Sequence, residues 1–253
     1  MEHPAPAVTG EPQVVVVDDA AAAGRIVAAT ISDTVRRAPT CRLGLATGST
    51  PLPAYRLLVA ELRGTGAFAR VQAFLLDEYV GLAATDPASY RATIRSELTD
   101  AIGVPPASVH APDPGSGRHA DLDAACADYE RLLGDGVDLQ LLGIGRNGHL
   151  GFNEPGTPFD TTTHVVTLSD TTRADNARFF PTPEAVPTHA VTQGLGTIRR
   201  ARHLLLAATG AAKADAVAAA LEGPLDVSCP ASALRLHPRV TVVLDRAAAG
   251  ALS

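Results

Sequence analysis

Residues 143–155 read GIGRNGHLGFNEP and place Asn147, His149, Asn153 and Glu154 among closely spaced glycines. A histidine with a carboxylate nearby is a natural acid/base pair, because the carboxylate orients the ring and tunes its pKa. Gly143, Gly145 and Gly148 also match the G-x-G-x-x-G spacing of a dinucleotide loop. That loop functions only when it opens a helix whose N-terminus meets the pyrophosphate. Here Gly151, Pro155 and Gly156 follow, and Pro155 disfavours helical geometry at Glu154. The spacing is therefore expected to be coincidental. What remains is an irregular loop of polar residues, suited to acid/base chemistry or to a structural polar network.

Three further stretches carry residues of chemical interest. In LGLATGSTP, residues 43–51, small residues let the backbone approach an anion, and Ser49 and Thr50 add hydroxyl donors beside Gly48. A helix starting at Pro51, with Thr50 as its N-cap, would aim free N–H groups at the same place. No Gly-Lys-Ser/Thr follows, so this is a phosphate cradle of another kind or an ordinary turn. In AFLLDEYVGL, residues 73–82, an apolar run leads directly into Asp77-Glu78. A partly desolvated Asp at a strand end is a candidate general base; the alternative is a cap or a solvated acid. In LLLAATGAAKADAV, Lys213 sits in a helical first turn, where it is mildly unfavourable unless an anion binds nearby. Arg178, in TTRADNARFF, is a second isolated cation, and both are otherwise solvated surface residues.

These residues need a frame that gathers them. Strands are expected at Val14–Asp18, Arg42–Thr47, Val71–Asp77, Val137–Gly145, His164–Leu168, His203–Thr209 and Val240–Asp245. Helices are expected at 20–37, 51–63, 88–101, 119–134, 172–178, 183–198 and 211–222. This alternation specifies an α/β fold: a single-domain, Rossmann-like, mostly parallel β-sheet with helices on both faces. Runs such as VDLQLLGIG and HLLLAAT are apolar at consecutive positions, as strands buried on both faces must be. Ligands then bind outside the carboxyl ends of the strands, where all four stretches lie. No long linker or internal repeat divides residues 1–253, and the Pro-rich lead 1–12 is expected to be mobile.

The composition narrows the class. With 253 residues, 46% of them hydrophobic, a sizeable core can form. The formal charge of -6 argues against nucleic-acid and membrane-surface partners. No signal peptide or membrane-spanning stretch is visible, and the three cysteines, Cys41, Cys126 and Cys229, are isolated. A cytoplasmic protein follows. No histidine pair has metal-ligand spacing, so no metal is expected. From the residues alone, the expectation is an acid/base enzyme acting on a small phosphorylated substrate.

Taken together and in order, ATGSTP, LLDEYVGL, GIGRNGHLGFNEPG, TRADNARFF and THAVTQGLGTI resemble the glucosamine-6-phosphate deaminases, over residues 14 to 245. The 6-phosphogluconolactonases share the fold, but their loops read D-E-R and D-G-H-x-A-S-L-F, whereas DEYVGL and FNEP side with the deaminases. The resemblance implies conversion of glucosamine 6-phosphate and water to fructose 6-phosphate and ammonia without a cofactor. It implies that His149 assists ring opening with support from Glu154 and Asn147, and that Asp77 moves a proton from C2 to C1. It places the phosphate on Gly48, Ser49 and Thr50, with Arg178 and Lys213 completing the charge match. Members of the family often carry Asp where this chain has Asn147, which would leave Glu154 as the carboxylate of the pair.

Allosteric members carry an Arg and a Lys where this chain has His164 and Val166, and they continue past the equivalent of Ser253. The resemblance therefore implies no activation by N-acetylglucosamine 6-phosphate at that site, and a monomer or small homo-oligomer rather than a hexamer. Three competing readings are a lactonase-like hydrolase, a non-catalytic sugar-phosphate sensor and a dinucleotide oxidoreductase. The sensor reading is disfavoured by the acidic charge and by a lead too short for a DNA-binding segment. The glycine- and proline-bounded segment 151–164 is a lid candidate.

Overall fold

The computed structural model describes residues 10–113 and 121–253; the first nine residues of the expected lead lie outside them. The strands β1 (Gln13–Val17), β2 (Arg42–Leu45), β3 (Gln72–Leu75), β5 (Val109–His110), β6 (Leu139–Leu142), β9 (Leu204–Ala208) and β10 (Val240–Asp245) form one sheet in the order β1-β10-β9-β6-β2-β3-β5. Every pairing in it is parallel. The remaining strands, β4 (Asp77–Tyr79), β7 (His164–Thr167) and β8 (His189–Thr192), form a second, antiparallel sheet in the order β4-β8-β7.

Local sequence explains most elements. All five residues of β9 are buried, as a central strand covered on both faces requires. Burying each of Leu204, Leu205 and Leu206 contributes about 1.5–3 kcal/mol. Helix α1 (Ala20–Arg37) is capped by Asp19, whose side chain accepts the Ala22 N–H at 2.7 Å, and ends on Arg36 and Arg37. Its buried stripe includes Val27, Ile31 and Val35, and it packs against α2 (Leu52–Leu62) and the β9–β10 side of the sheet. Pro51 and Pro53 begin α2, and Thr50 supplies no side-chain cap. Helix α5 (Leu122–Leu133) starts at an Asp121 cap and closes on Gly134.

The second sheet is where local pattern misleads. The expected strand Val71–Asp77 is two strands separated at Leu76. The carbonyl of Leu75 accepts the Tyr129 hydroxyl at 2.7 Å and Gln193 Nε2 at 3.0 Å, while Leu76 accepts the Gln193 N–H at 2.7 Å. These bonds turn the chain out of the parallel sheet, so Asp77 begins a strand of the other sheet. The expected helix 183–198 is instead a short turn at Pro183–Ala185, strand β8 and one helical turn, α7 (Leu195–Ile198). Pro187, Gly194 and Gly196 break the helical pattern, and the paired edges of β4 and β7 claim the backbone of 189–192, where Val191 and Thr192 favour a strand. The expected helix 88–101 runs as α3 (Tyr90–Ile94), a π-helical turn Arg95–Thr99 and α4 (Asp100–Ile102).

Glu130, near the end of α5, clasps three segments together. One oxygen accepts the Thr163 N–H at 2.8 Å and the hydroxyls of Thr163 and Thr197 at 2.5 Å each; the other meets Arg200 at 2.5 Å. These donors outweigh the desolvation of the carboxyl and hold it below its ordinary range. A carboxyl depressed in the folded state adds stability that is present above its unfolded pKa and is lost as pH falls through the folded one. Glu130→Ala should cost about 2–3 kcal/mol of unfolding free energy at pH 7. The difference from the wild type should shrink on acidification below about pH 4, as denaturant unfolding at the two pH values would show.

Candidate active site

The carboxyl ends of β2, β3, β6 and β9 open on a cavity of about 700 Å³. Gly48, Ser49 and Thr50 line it from the turn after β2, Asp77 from β4, His149 from the loop after β6, and Lys213 from the turn after β9. Arg178 reaches it from the turn that follows α6 (Asp170–Asn176), with its guanidinium 4.7 Å from the Phe179 ring centre. Seven of the nine residues singled out in the sequence therefore share one cavity. The other two, Asn147 and Glu154, stand behind His149.

No helix follows Gly148, as the prolines and glycines predict: residues 143–163 are turns and irregular backbone. Gly145 is glycine because a Cβ there would run into the His149 ring. Gly151 has φ +58°, and its Cα faces the Thr192 hydroxyl and Asp77 so closely that a Cβ would come within 2.9 Å and 3.5 Å of them. The loop thus brings its histidine and the acid of β4 to one place through glycines that leave room rather than bind phosphate. Segment 151–164 is tied down by Gly156 N–H to Val227, Asn153 Nδ2 to Leu150 and Gln193, and the Glu130 clasp at Thr163.

His149 and Glu154 do not pair directly. Glu154 Oε2 is 3.9 Å from His149 Nδ1, and the Asn147 amide lies between them. Asn147 Nδ2 donates to Glu154 Oε2 at 2.6 Å, and Asn147 Oδ1 lies 2.8 Å from His149 Nδ1. Because the amide nitrogen is committed to the carboxylate, Oδ1 must accept, so His149 Nδ1 carries the hydrogen in the neutral ring. Nε2 is then the basic nitrogen. Glu154 is itself fixed by the Thr172 hydroxyl at 2.5 Å, which links the loop to α6.

Asp77 is buried, and desolvation, with a smaller contribution from the charge of Glu78, pushes its carboxyl up to about 8. Period-two alternation along β4 sends Asp77 and Tyr79 toward the cavity and Glu78 to the opposite side. Several residues went unnoticed in the sequence. Tyr90 lines the cavity, donates to the Tyr79 hydroxyl at 3.1 Å and stacks on Phe152 at 6.0 Å between ring centres. Arg146 and Glu97 also border the cavity. Only Arg146, inside the glycine loop, had a local signal; Tyr90 is brought in by the packing of α3, and Glu97 by the π-helical turn after it. Among the described residues no group of His, Cys, Asp and Glu could hold a metal, and no helix is long and apolar enough to cross a membrane.

Known proteins share both the sequence and the frame. A family model described as glucosamine-6-phosphate isomerases/6-phosphogluconolactonase matches residues 17–243. A Cutibacterium acnes protein named glucosamine-6-phosphate deaminase is 52% identical over 244 residues, 95% of this chain and 92% of its own. A Streptomyces coelicolor protein of the same name is 52% identical over 245 residues, with the same coverage. A solved monomeric glucosamine-6-phosphate deaminase superposes with a TM-score of 0.89 at 42% identity, covering 94% of this chain and 99% of its own. The 6-phosphogluconolactonase of Trypanosoma brucei, at 21% identity and a TM-score of 0.76 over 96% of this chain and 100% of its own, shares the fold. The chain belongs to the glucosamine-6-phosphate isomerase/6-phosphogluconolactonase family.

Proposed function

We propose that this protein is a cofactor-independent glucosamine-6-phosphate deaminase that converts glucosamine 6-phosphate and water to fructose 6-phosphate and ammonia. One observation carries the reading: a buried carboxyl of raised pKa shares a cavity with a histidine relay and with two cations beside a glycine-serine-threonine turn. A lactone hydrolase needs no such base, because it removes no proton from carbon. The names of relatives about half identical to this chain support the same choice.

In this reading the turn Gly48, Ser49 and Thr50 holds the phosphate, and Arg178 and Lys213 balance its charge. His149, oriented by Asn147 and through it by Glu154, exchanges a proton with the ring oxygen and opens the pyranose. Asp77 removes the proton from C2 of the open aldose and returns it at C1. The carbon bearing the amine becomes an imine carbon, and water converts it to the ketone as ammonia leaves. A weakly solvated carboxylate suits the C–H step, since burial raises its affinity for the proton. The protein acts in the cytoplasm, without nucleic-acid partners, as a monomer or small homo-oligomer; the monomeric solved relative supports the smaller form.

A coupled assay for ammonia release from glucosamine 6-phosphate tests the whole reading, and its absence at any pH would sink it. Asp77→Asn should lower kcat by about 10³-fold or more while inorganic phosphate still competes for the site; surviving turnover would remove the base assignment. Asp77 must lose its proton to act, so kcat/KM should rise with pH along a limb centred near 8. The same carboxyl binds a proton more tightly folded than unfolded, so between about pH 4 and 8 it makes stability fall as pH rises. Asp77→Asn should abolish that fall, which unfolding measured at pH 5 and 8 would reveal. Gly145→Ala should fold normally, because the ring it displaces ends a flexible side chain, yet lose about 10²-fold in kcat.

A further inference from the structure

Glu78 is the buried carboxyl that the proposed chemistry leaves unused. It is 5% exposed and points away from the cavity, on the reverse side of β4 from Asp77. One of its oxygens accepts the N–H groups of Tyr79 and Tyr90, each at 3.0 Å, and the other accepts the Arg91 N–H at 2.9 Å. Ser89 takes the next two donors of the same helical turn: its hydroxyl accepts Ala92 N–H and its carbonyl accepts Thr93 N–H. The first turn of α3 is therefore fixed to β4 through Glu78. That turn carries Tyr90, whose ring closes the cavity against Tyr79 and Phe152.

Three N–H donors on two oxygens also decide which of the adjacent carboxyls is charged. Burial raises the Glu78 carboxyl above its ordinary range, but these three N–H donors and the Arg91 charge oppose that rise, because a protonated Glu78 would give up acceptor capacity that the bonds use. Asp77 has no comparable set of donors. The pair titrates together, with the first negative charge on Glu78 and the second, harder to form, on Asp77. The groups around Asp77 are Glu78 and Tyr79 on its own strand, Tyr90 from α3, Tyr129 from α5, the Thr192 hydroxyl from β8 and His149 across the cavity. Of these carboxyls and rings, Glu78 is the one whose anion its own N–H donors favour.

We propose that Glu78 is a positioning residue for the deamination: it seats the first turn of α3 so that Tyr90 walls the sugar, and it keeps a fixed negative charge behind Asp77 that strengthens it as a base. This rests on the reading of Asp77 given above. The two parts separate by substitution. Glu78→Gln removes the charge and keeps most of the reach, whereas Glu78→Asp keeps the charge and shortens the reach to Tyr90 and Arg91.

The test measures kcat/KM against pH by ammonia release and, without substrate, the pH dependence of unfolding for the wild type and both variants. Glu78→Gln should move the limb and the unfolding transition down by about one pH unit. Glu78→Asp should leave both near the wild-type position but raise KM for glucosamine 6-phosphate several-fold. A Glu78→Gln protein that is less stable at every pH, with neither midpoint moved, would overturn the proposal and leave Glu78 a structural cap. If Glu78→Gln does not fold, an unchanged KM in Glu78→Asp overturns the positioning role and a raised KM upholds it. If even the wild type releases no ammonia, the deaminase reading has failed; the unfolding titration still decides whether Glu78 loads Asp77.

Discussion

The removal of Asp77 from water is the constraint around which the rest of the site is organised. A carboxyl can be buried only where the surroundings either pair it or let it keep its proton, and here the second applies. The frame achieves this by ending β3 at Leu75, two residues early. Tyr129 and Gln193 bind the carbonyl at Leu75, Gln193 binds the next one, and the chain turns into the small antiparallel sheet with Asp77 as its first residue. A residue that would otherwise sit at an ordinary strand exit is thereby enclosed by α3, α5, β8 and the loop after β6.

The histidine loop is built on the opposite principle. His149 remains partly accessible, and its orientation comes from hydrogen bonds rather than burial. An amide is well suited to the middle position of the relay: Asn147 accepts from the ring on one side and donates to Glu154 on the other, which fixes the tautomer without placing a charge beside the imidazole. The carboxylate lies one residue further out, tied to α6 by Thr172. The two acid/base groups of the cavity thus differ in kind, one governed by desolvation and the other by directed bonds.

Much of this was legible in the chain. Apolar runs marked the central strands because both of their faces are buried, and glycines followed by Pro155 excluded a dinucleotide loop because they forbid the required helix. Asp77, His149, Lys213 and the 48–50 turn could be named because each lies where a strand runs out. Tyr90, and the role of Glu78, could not. Tyr90 follows an unremarkable cap, and Glu78 acts on the face of β4 that the cavity never sees. Strand β8 was hidden as well, since a run of only four residues gives too short a pattern to tell a strand from a helix.

By itself the sequence determined the parallel sheet, the irregular histidine loop and the residue types available for acid/base chemistry, because these depend on burial period, on glycine and proline stereochemistry and on functional groups that are local properties. The tertiary structure alone decided that Asn147 stands between His149 and Glu154, that Asp77 belongs to a second sheet and is buried, and that Glu78 holds α3. Those outcomes arise from hydrogen bonds and desolvation between segments far apart in the chain, and neither leaves a periodic trace in the residues that make them.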